Sequence, residues 1–310
     1  MLRRLVPGLH LNPRLIDRAR IRLTAGLSGW FLLRDVSGTI VDRIDLVVVG
    51  VLFGVSDVAI FVVGQKLAKL AEGALVPLAQ VFFPHASKLS RDEDKPALAR
   101  LLVDGTRASL LVGMPATLVL MALAYPAVEA WVGSGFGQAA AVLVVLAAAM
   151  GVEALVATSY ETLGGMGRAR TSAFIATAEA IVNLALSVLL GRAIGLVGVA
   201  LGTLVAATLI KLPAFIVLTC RAIGLPLVAF LRRALLPTAF PAAGAIAFLL
   251  GAGIVVPTTI PAVALVGVAG AVVYFGLYFV FSASATERAQ GLAVVTSVGR
   301  FVGRNGEEQS

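Results

Sequence analysis

The chain has 310 residues, of which 59% are hydrophobic and only 14% charged, with a formal net charge of +8. A soluble domain carries about 25% charged residues, so an ordinary soluble domain is excluded. The basic balance does not mark a nucleic-acid binder either, because no basic stripe is interleaved with aromatics; in a membrane protein, bases gather in cytoplasmic loops. A single cysteine, Cys220, excludes an intrachain disulfide and a thiolate zinc cluster. His10 and His85 stand alone, so no metal site and no cofactor are expected.

In chain order, residues 11–24 (LNPRLIDRARIRLT) read as a short amphipathic helix. Asn12 suits its N-cap and Pro13 its first position. Arg14, Arg18 and Arg22 recur every four residues opposite Leu15, Ile16, Ala19 and Leu23, the pattern of a helix lying in the membrane interface. The basic start and the long first apolar block differ from a secretory signal.

Eight apolar blocks follow, at about 27–53, 58–83, 107–125, 138–162, 171–191, 196–219, 234–254 and 261–283. Each is long enough to cross a hydrocarbon core of about 30 Å. Turn signals separate them: Phe53-Gly54-Val55-Ser56-Asp57, Tyr125-Pro126, Gly164–Arg170 and Val256–Pro261. The expected fold is therefore an all-α polytopic membrane protein with about eight transmembrane helices. Its expected parts are a basic interfacial segment (1–26), a six-helix bundle (27–219), two additional helices (220–283) and a polar tail (284–310). With these spans, nineteen of the 25 Lys and Arg fall on one side and Arg192 alone on the other. That asymmetry places both termini in the cytoplasm.

The first block contains RDVSGTIVDRID, from Arg34 to Asp45. A charge at the bilayer centre costs about 2.5–3.5 kcal/mol on insertion scales and marks a functional position. At 100° per residue from Arg34, Asp45 falls at about 20°, Gly38 at 40°, Asp42 at 80° and Asp35 at 100°, while Arg43 lies opposite at 180°. The second block supplies Lys66, Lys69 and Glu72. About a turn near residue 55, Asp45 matches the depth of Lys66, and Asp42 that of Lys69. Two ion pairs stapling the hairpin are one reading; a polar cavity binding a charged headgroup or a coupling ion is the other. Arg34, Arg43 and Glu72 have no obvious partner within the hairpin. Further on, Glu153 and Glu161 share roughly one face of the fourth block. Glu179 and Asn183, at i and i+4, should meet one neighbour across a helix contact. Lys211, near a block end, is expected to snorkel. Gly195, Gly198 and Gly202 read as a close-packing face, and Pro77, Pro115, Pro213 and Pro241 as kinks. The longest internal loop, about 84–107, carries Asp92-Glu93-Asp94 as a solvated face.

Three stretches carry a family resemblance: DRIDLVVVGVLFGVSDVAIFVVGQKLAKL (Asp42–Leu70), VPLAQVFFPHASKL (Val76–Leu89) and AEAIVNLALSVLLGRAIGLVGVALGTLVA (Ala178–Ala206). Together they resemble the bacterial lipid-linked oligosaccharide flippases of the multidrug/oligosaccharidyl-lipid/polysaccharide exporter superfamily. The resemblance spans about residues 10–283 and implies the second six-helix bundle plus two extra helices. It further implies movement of an undecaprenyl-pyrophosphate-linked sugar across the cytoplasmic (inner) membrane through a cationic cavity. Arg34, Arg43, Lys66 and Lys69 then become candidate cavity bases. Asp35, Asp42, Asp45, Glu72, Glu179 and Asn183 become candidates for ion coupling or salt bridging. The family's first bundle has no counterpart here, so a fragment, or a half-transporter with a partner polypeptide, is expected. The expected partners are lipid-linked oligosaccharide and membrane lipids, with no nucleic acid. Competing functions are a drug or ion exporter of the same superfamily and a non-transporting scaffold for glycan synthesis. An enzyme is not expected, because no carboxylate pair has a positioned third group.

Overall fold

A computed structural model describes residues 18–283, which are helical apart from short turns. The first two helices form an antiparallel hairpin, α1 (Arg18–Leu52) and α2 (Val55–Gln80). They are joined at Gly54, whose φ of 100° lies in the region that glycine enters without a Cβ clash. Next come a short α3 (Phe82–Arg91), α4 (Lys95–Ala122) and a second short helix, α5 (Ala124–Val132). The bundle is completed by α6 (Gly137–Gly165), α7 (Ala169–Ile194) and α8 (Leu196–Ile223). A short α9 (Leu227–Ala234) leads to the last pair, α10 (Leu236–Gly253) and α11 (Ile260–Ser282).

Six of these helices, α4, α6, α7, α8, α10 and α11, are long and apolar enough to cross a membrane. The hairpin helices, of 35 and 26 residues, are as long but carry charges along their length. In order and position these eight match the eight apolar blocks. The chain is an all-α polytopic membrane protein.

Two local expectations need correction. The segment 84–107 is not a loop. Helix α3 runs to Arg91, and α4 starts at Lys95 after a three-residue turn. Asp94 caps α4 by accepting a hydrogen bond from the Ala97 amide at 2.9 Å, with Pro96 in the first turn. Tyr125-Pro126 does not end a block. The break comes at Leu123, and Pro126 sits in the first turn of α5, where it lacks only an N–H that would have no helical partner. Helix α1 itself runs without a break from Arg18 across residue 26. The earlier part of the expected interfacial helix, and the tail from 284, lie outside the described residues.

Helix α6 sits at the centre, against α2, α3, α4 and α8. It is largely apolar and rich in alanine, which suits a buried helix, with Glu153 and Glu161 as its charged exceptions. Its neighbours approach through glycines. A Cβ on Gly64 of α2 would lie 2.7 Å from the Ala139 carbonyl oxygen, and one on Gly113 of α4 would lie 2.7 Å from the Ala154 Cβ. Helices α7 and α8 pack in the same way: a Cβ on Gly202 would lie 2.5 Å from the Ser187 nitrogen, and one on Gly198 would collide with the Leu190 carbonyl. Without a hydrophobic drive between helices in lipid, this close approach is a main source of their attraction. Helices α10 and α11 pair with each other and lean on α4.

Candidate functional site: an acid-rich cavity between the hairpin and the bundle

The charged arc of α1 opens onto a cavity of about 360 Å³, enclosed by α1, α2, α6, α7 and α8. Arg34, Gly38, Val41, Asp42 and Asp45 line it, as one face of a single helix should. Asp35, at the edge of that arc, instead turns to Arg34, whose Nε donates to its carboxylate at 3.0 Å. The Arg34 guanidinium lies over the rings of Phe31 and Tyr160, at 5.0 and 4.5 Å from their centroids. Its side chain is 13% exposed, and its Nη1 is buried without a hydrogen-bond partner among the described residues.

Across the hairpin, Lys69 Nζ lies 3.1 Å from Asp42 and 3.8 Å from Glu72. The depth-matched pair Asp42–Lys69 therefore forms. Its counterpart does not: Asp45 turns away from Lys66 into the bundle. One Asp45 oxygen accepts from Thr203 Oγ1 at 2.5 Å and the other from Ser187 Oγ at 3.1 Å. Thr203 in turn accepts from Asn183 Nδ2 at 2.9 Å, while the Asn183 Oδ1 is buried and without a partner. Asp45 is 2% exposed and Asn183 fully buried. The result is a largely buried cluster of oxygens from α1, α7 and α8.

A second buried cluster stands on the opposite wall. Lys211 Nζ is 2.6 Å from Glu153 Oε1 of α6 and 3.5 Å from Glu179 Oε2 of α7. Its side chain is 16% exposed, so it does not snorkel. The backbone explains this. Pro213 has no N–H to bond the carbonyl four residues back, and its ring crowds that carbonyl. Helix α8 responds with a π-helical turn over Ala207–Lys211. Such turns rotate the following side chains relative to an α-helix and recur at functional sites.

The placements of the candidates divide clearly. Arg34, Lys69, Asp42, Asp45, Glu72 and Glu179 line the cavity. Asn183 supports it through Thr203. Arg43 is exposed on the far side of α1 and lines neither this cavity nor its neighbour. Lys66 faces a separate apolar groove of about 1130 Å³ between α2, α4, α5 and α11. Lys69 borders both spaces. Among the described residues the cavity shows six carboxylates (Asp42, Asp45, Glu72, Glu153, Glu161, Glu179) and three bases (Arg34, Lys69, Lys211). The expected cationic lining is not what this part of the wall presents. The sequence pattern put Glu153 and Glu161 on one face of the fourth block, and both line the cavity; it misjudged Lys211 and gave no sign of Tyr160, Ser187 and Thr203. Pro213 two residues beyond Lys211 is the one local signal that could have redirected that lysine.

Helices long and apolar enough to span a membrane, set around a polar, ion-paired cavity, define the general class of multi-pass membrane proteins. Comparison with known proteins narrows it. A family model described as "Polysaccharide biosynthesis protein" matches residues 8–141. The structure is similar to the lipid II flippase MurJ in its inward closed conformation (TM-score 0.56, 17% identity, covering 77% of this chain and 51% of that one). It is also similar to a MOP superfamily transporter from Pyrococcus furiosus Vc1 (DSM3638) (TM-score 0.50, 18% identity, covering 82% of this chain and 62% of that one). No curated protein matches. The fold is similar to those of these two solved structures, in keeping with the fold that the three stretches implied. The chain spans about half the length of the first of these structures.

Proposed function

We propose that the chain is a component of a flippase that moves undecaprenyl-pyrophosphate-linked oligosaccharide across the bacterial cytoplasmic membrane for surface polysaccharide biosynthesis. In this reading residues 27–219 form one transport bundle, residues 220–283 add two helices beside the apolar groove, and both termini are cytoplasmic. A second unit faces the hairpin and completes the cavity. The observation that carries the proposal is Arg34. It is an arginine fixed by two rings and a carboxylate at the cavity wall, with a buried N–H that has no acceptor. A planar guanidinium with a spare donor suits a phosphate oxygen. Lys69, shared between Asp42 and Glu72, is the second base within reach and can exchange partners. The Asp45 cluster supplies a carboxylate, two hydroxyls and a free amide oxygen. This hard-oxygen set suits a coupling cation or proton.

The six-to-three excess of carboxylates favours a second reading, a drug or cation exporter of the same superfamily. One experiment separates the two. Proteoliposomes carrying the transporter are assayed with fluorescent undecaprenyl-pyrophosphate oligosaccharide and with ethidium. The flippase reading expects translocation of the lipid, abolished in Arg34→Gln. Movement of ethidium alone would sink it in favour of export.

A further inference from the structure

We propose that Glu153 and Glu179 form a latent cation site and that the ammonium group of Lys211 is its built-in occupant. This claim concerns ion binding by the chain and is independent of the cargo.

Three observations carry it. First, the two carboxylates come from different helices, α6 and α7, yet converge on one Nζ at 2.6 and 3.5 Å. Nothing in their local sequence requires this, because each helix has other faces on which a glutamate could reach water or headgroups. Second, the lysine is the last residue of a π-turn, where α8 departs from α-helical hydrogen bonding. Third, the site is buried but borders the cavity. Glu179 is 3% exposed, and Glu153, Glu179 and Lys211 all line the same space. Two carboxylates held together in a low-dielectric setting repel unless one positive charge sits between them or one takes up a proton. Lys211 meets that requirement from within the chain. Swinging it out leaves a two-carboxylate site open to the cavity and unfastens α8 from α6 and α7 together. A cation or proton entering from the cavity can take its place. Exchange of the tethered charge for a mobile one would link ion entry to movement of three helices.

The other charged and titratable groups around this cavity are Tyr160 and Glu161 on α6, Glu72 and Lys69 on α2, and Asp42, Asp45 and Arg34 on α1. None is altered in the test. The full chain in nanodiscs is titrated with ²²Na⁺, and proton uptake is followed in weakly buffered solution. Lys211→Gln should bind one more equivalent of positive charge per chain than the unsubstituted protein, as sodium or as a proton. Lys211→Arg should keep the original stoichiometry. The double substitution Lys211→Gln with Glu179→Gln should return to it, which a merely structural role for the lysine would not produce. Equal stoichiometry in Lys211→Gln and the unsubstituted chain overturns the proposal. If Lys211→Gln is too unstable to titrate, its Tm should rise when sodium replaces N-methylglucamine at constant ionic strength or when the pH is lowered, with the unsubstituted chain flat. A variant Tm that stays flat under both changes overturns the proposal equally.

Discussion

Arg34 and Arg43 are nine residues apart on one helix and have opposite surroundings. Arg34 is clamped by Phe31, Tyr160 and Asp35 at the cavity wall, and Arg43 is exposed on the other face. If the cavity handles a phosphorylated lipid, Arg34→Gln and Lys69→Gln should each reduce surface polysaccharide in a complementation assay at least tenfold. Arg43→Gln and Lys66→Gln should leave it near the original level. The Asp45 cluster makes a stability prediction. Thr203→Val removes a donor to Asp45 and an acceptor for Asn183, leaving buried polar atoms unpaired at about 1–3 kcal/mol each. Thermal unfolding in mild detergent should show a clearly lower Tm, whereas Thr208→Val should do little, since that hydroxyl bonds only its own helix in an exposed position. Much of the α1 wall was legible in advance, because angular position on a helix is a local property. The partners of Asp45 were not. Ser187 and Thr203 lie 142 and 158 residues further on, and only the assembled bundle brings them to it.

At the scale of elements, α2 offers an internal control for close packing. Gly64 faces the backbone of α6, whereas a Cβ at Gly73 would meet nothing within 4 Å. Gly64→Val should impair accumulation in the membrane or lower the Tm sharply, because the obstacle is backbone that cannot rotate away. Gly73→Ala should be neutral or stabilising by up to about 1 kcal/mol, from helix propensity alone. The π-turn of α8 makes another prediction. Pro213→Ala restores an N–H and removes the ring, so the turn should relax toward α-helix and carry Lys211 away from Glu153. The expected signature is the same extra equivalent of bound charge that Lys211→Gln shows. Helix count and order could be read from apolar blocks because each block is long enough to form a membrane-length helix on its own. Short amphipathic elements could not. Helix α3 and the start of α4 hold too many charges to register as apolar runs, and the cap at Asp94 hid within an acidic triplet that reads equally well as loop.

For the whole molecule, the distribution of lysine and arginine makes a prediction about topology. Arg192 should face outward and Arg168 the cytoplasm. Both are exposed at helix ends, and the native Cys220 is buried. In intact cells a membrane-impermeant maleimide should label Arg192→Cys and spare Arg168→Cys; the reverse pattern would invert the chain. The architecture also bears on how the protein is made. The charged hairpin leaves the ribosome before the residues that shelter it: Tyr160 for Arg34, and Ser187 and Thr203 for Asp45. At about 5–20 residues per second, the 158 residues between Asp45 and Thr203 take roughly 8–30 s to synthesise. Throughout that interval Asp45 lacks the two hydroxyls that later receive its charge. Early membrane integration of this hairpin is therefore a holding operation, and commitment waits for α8 to arrive.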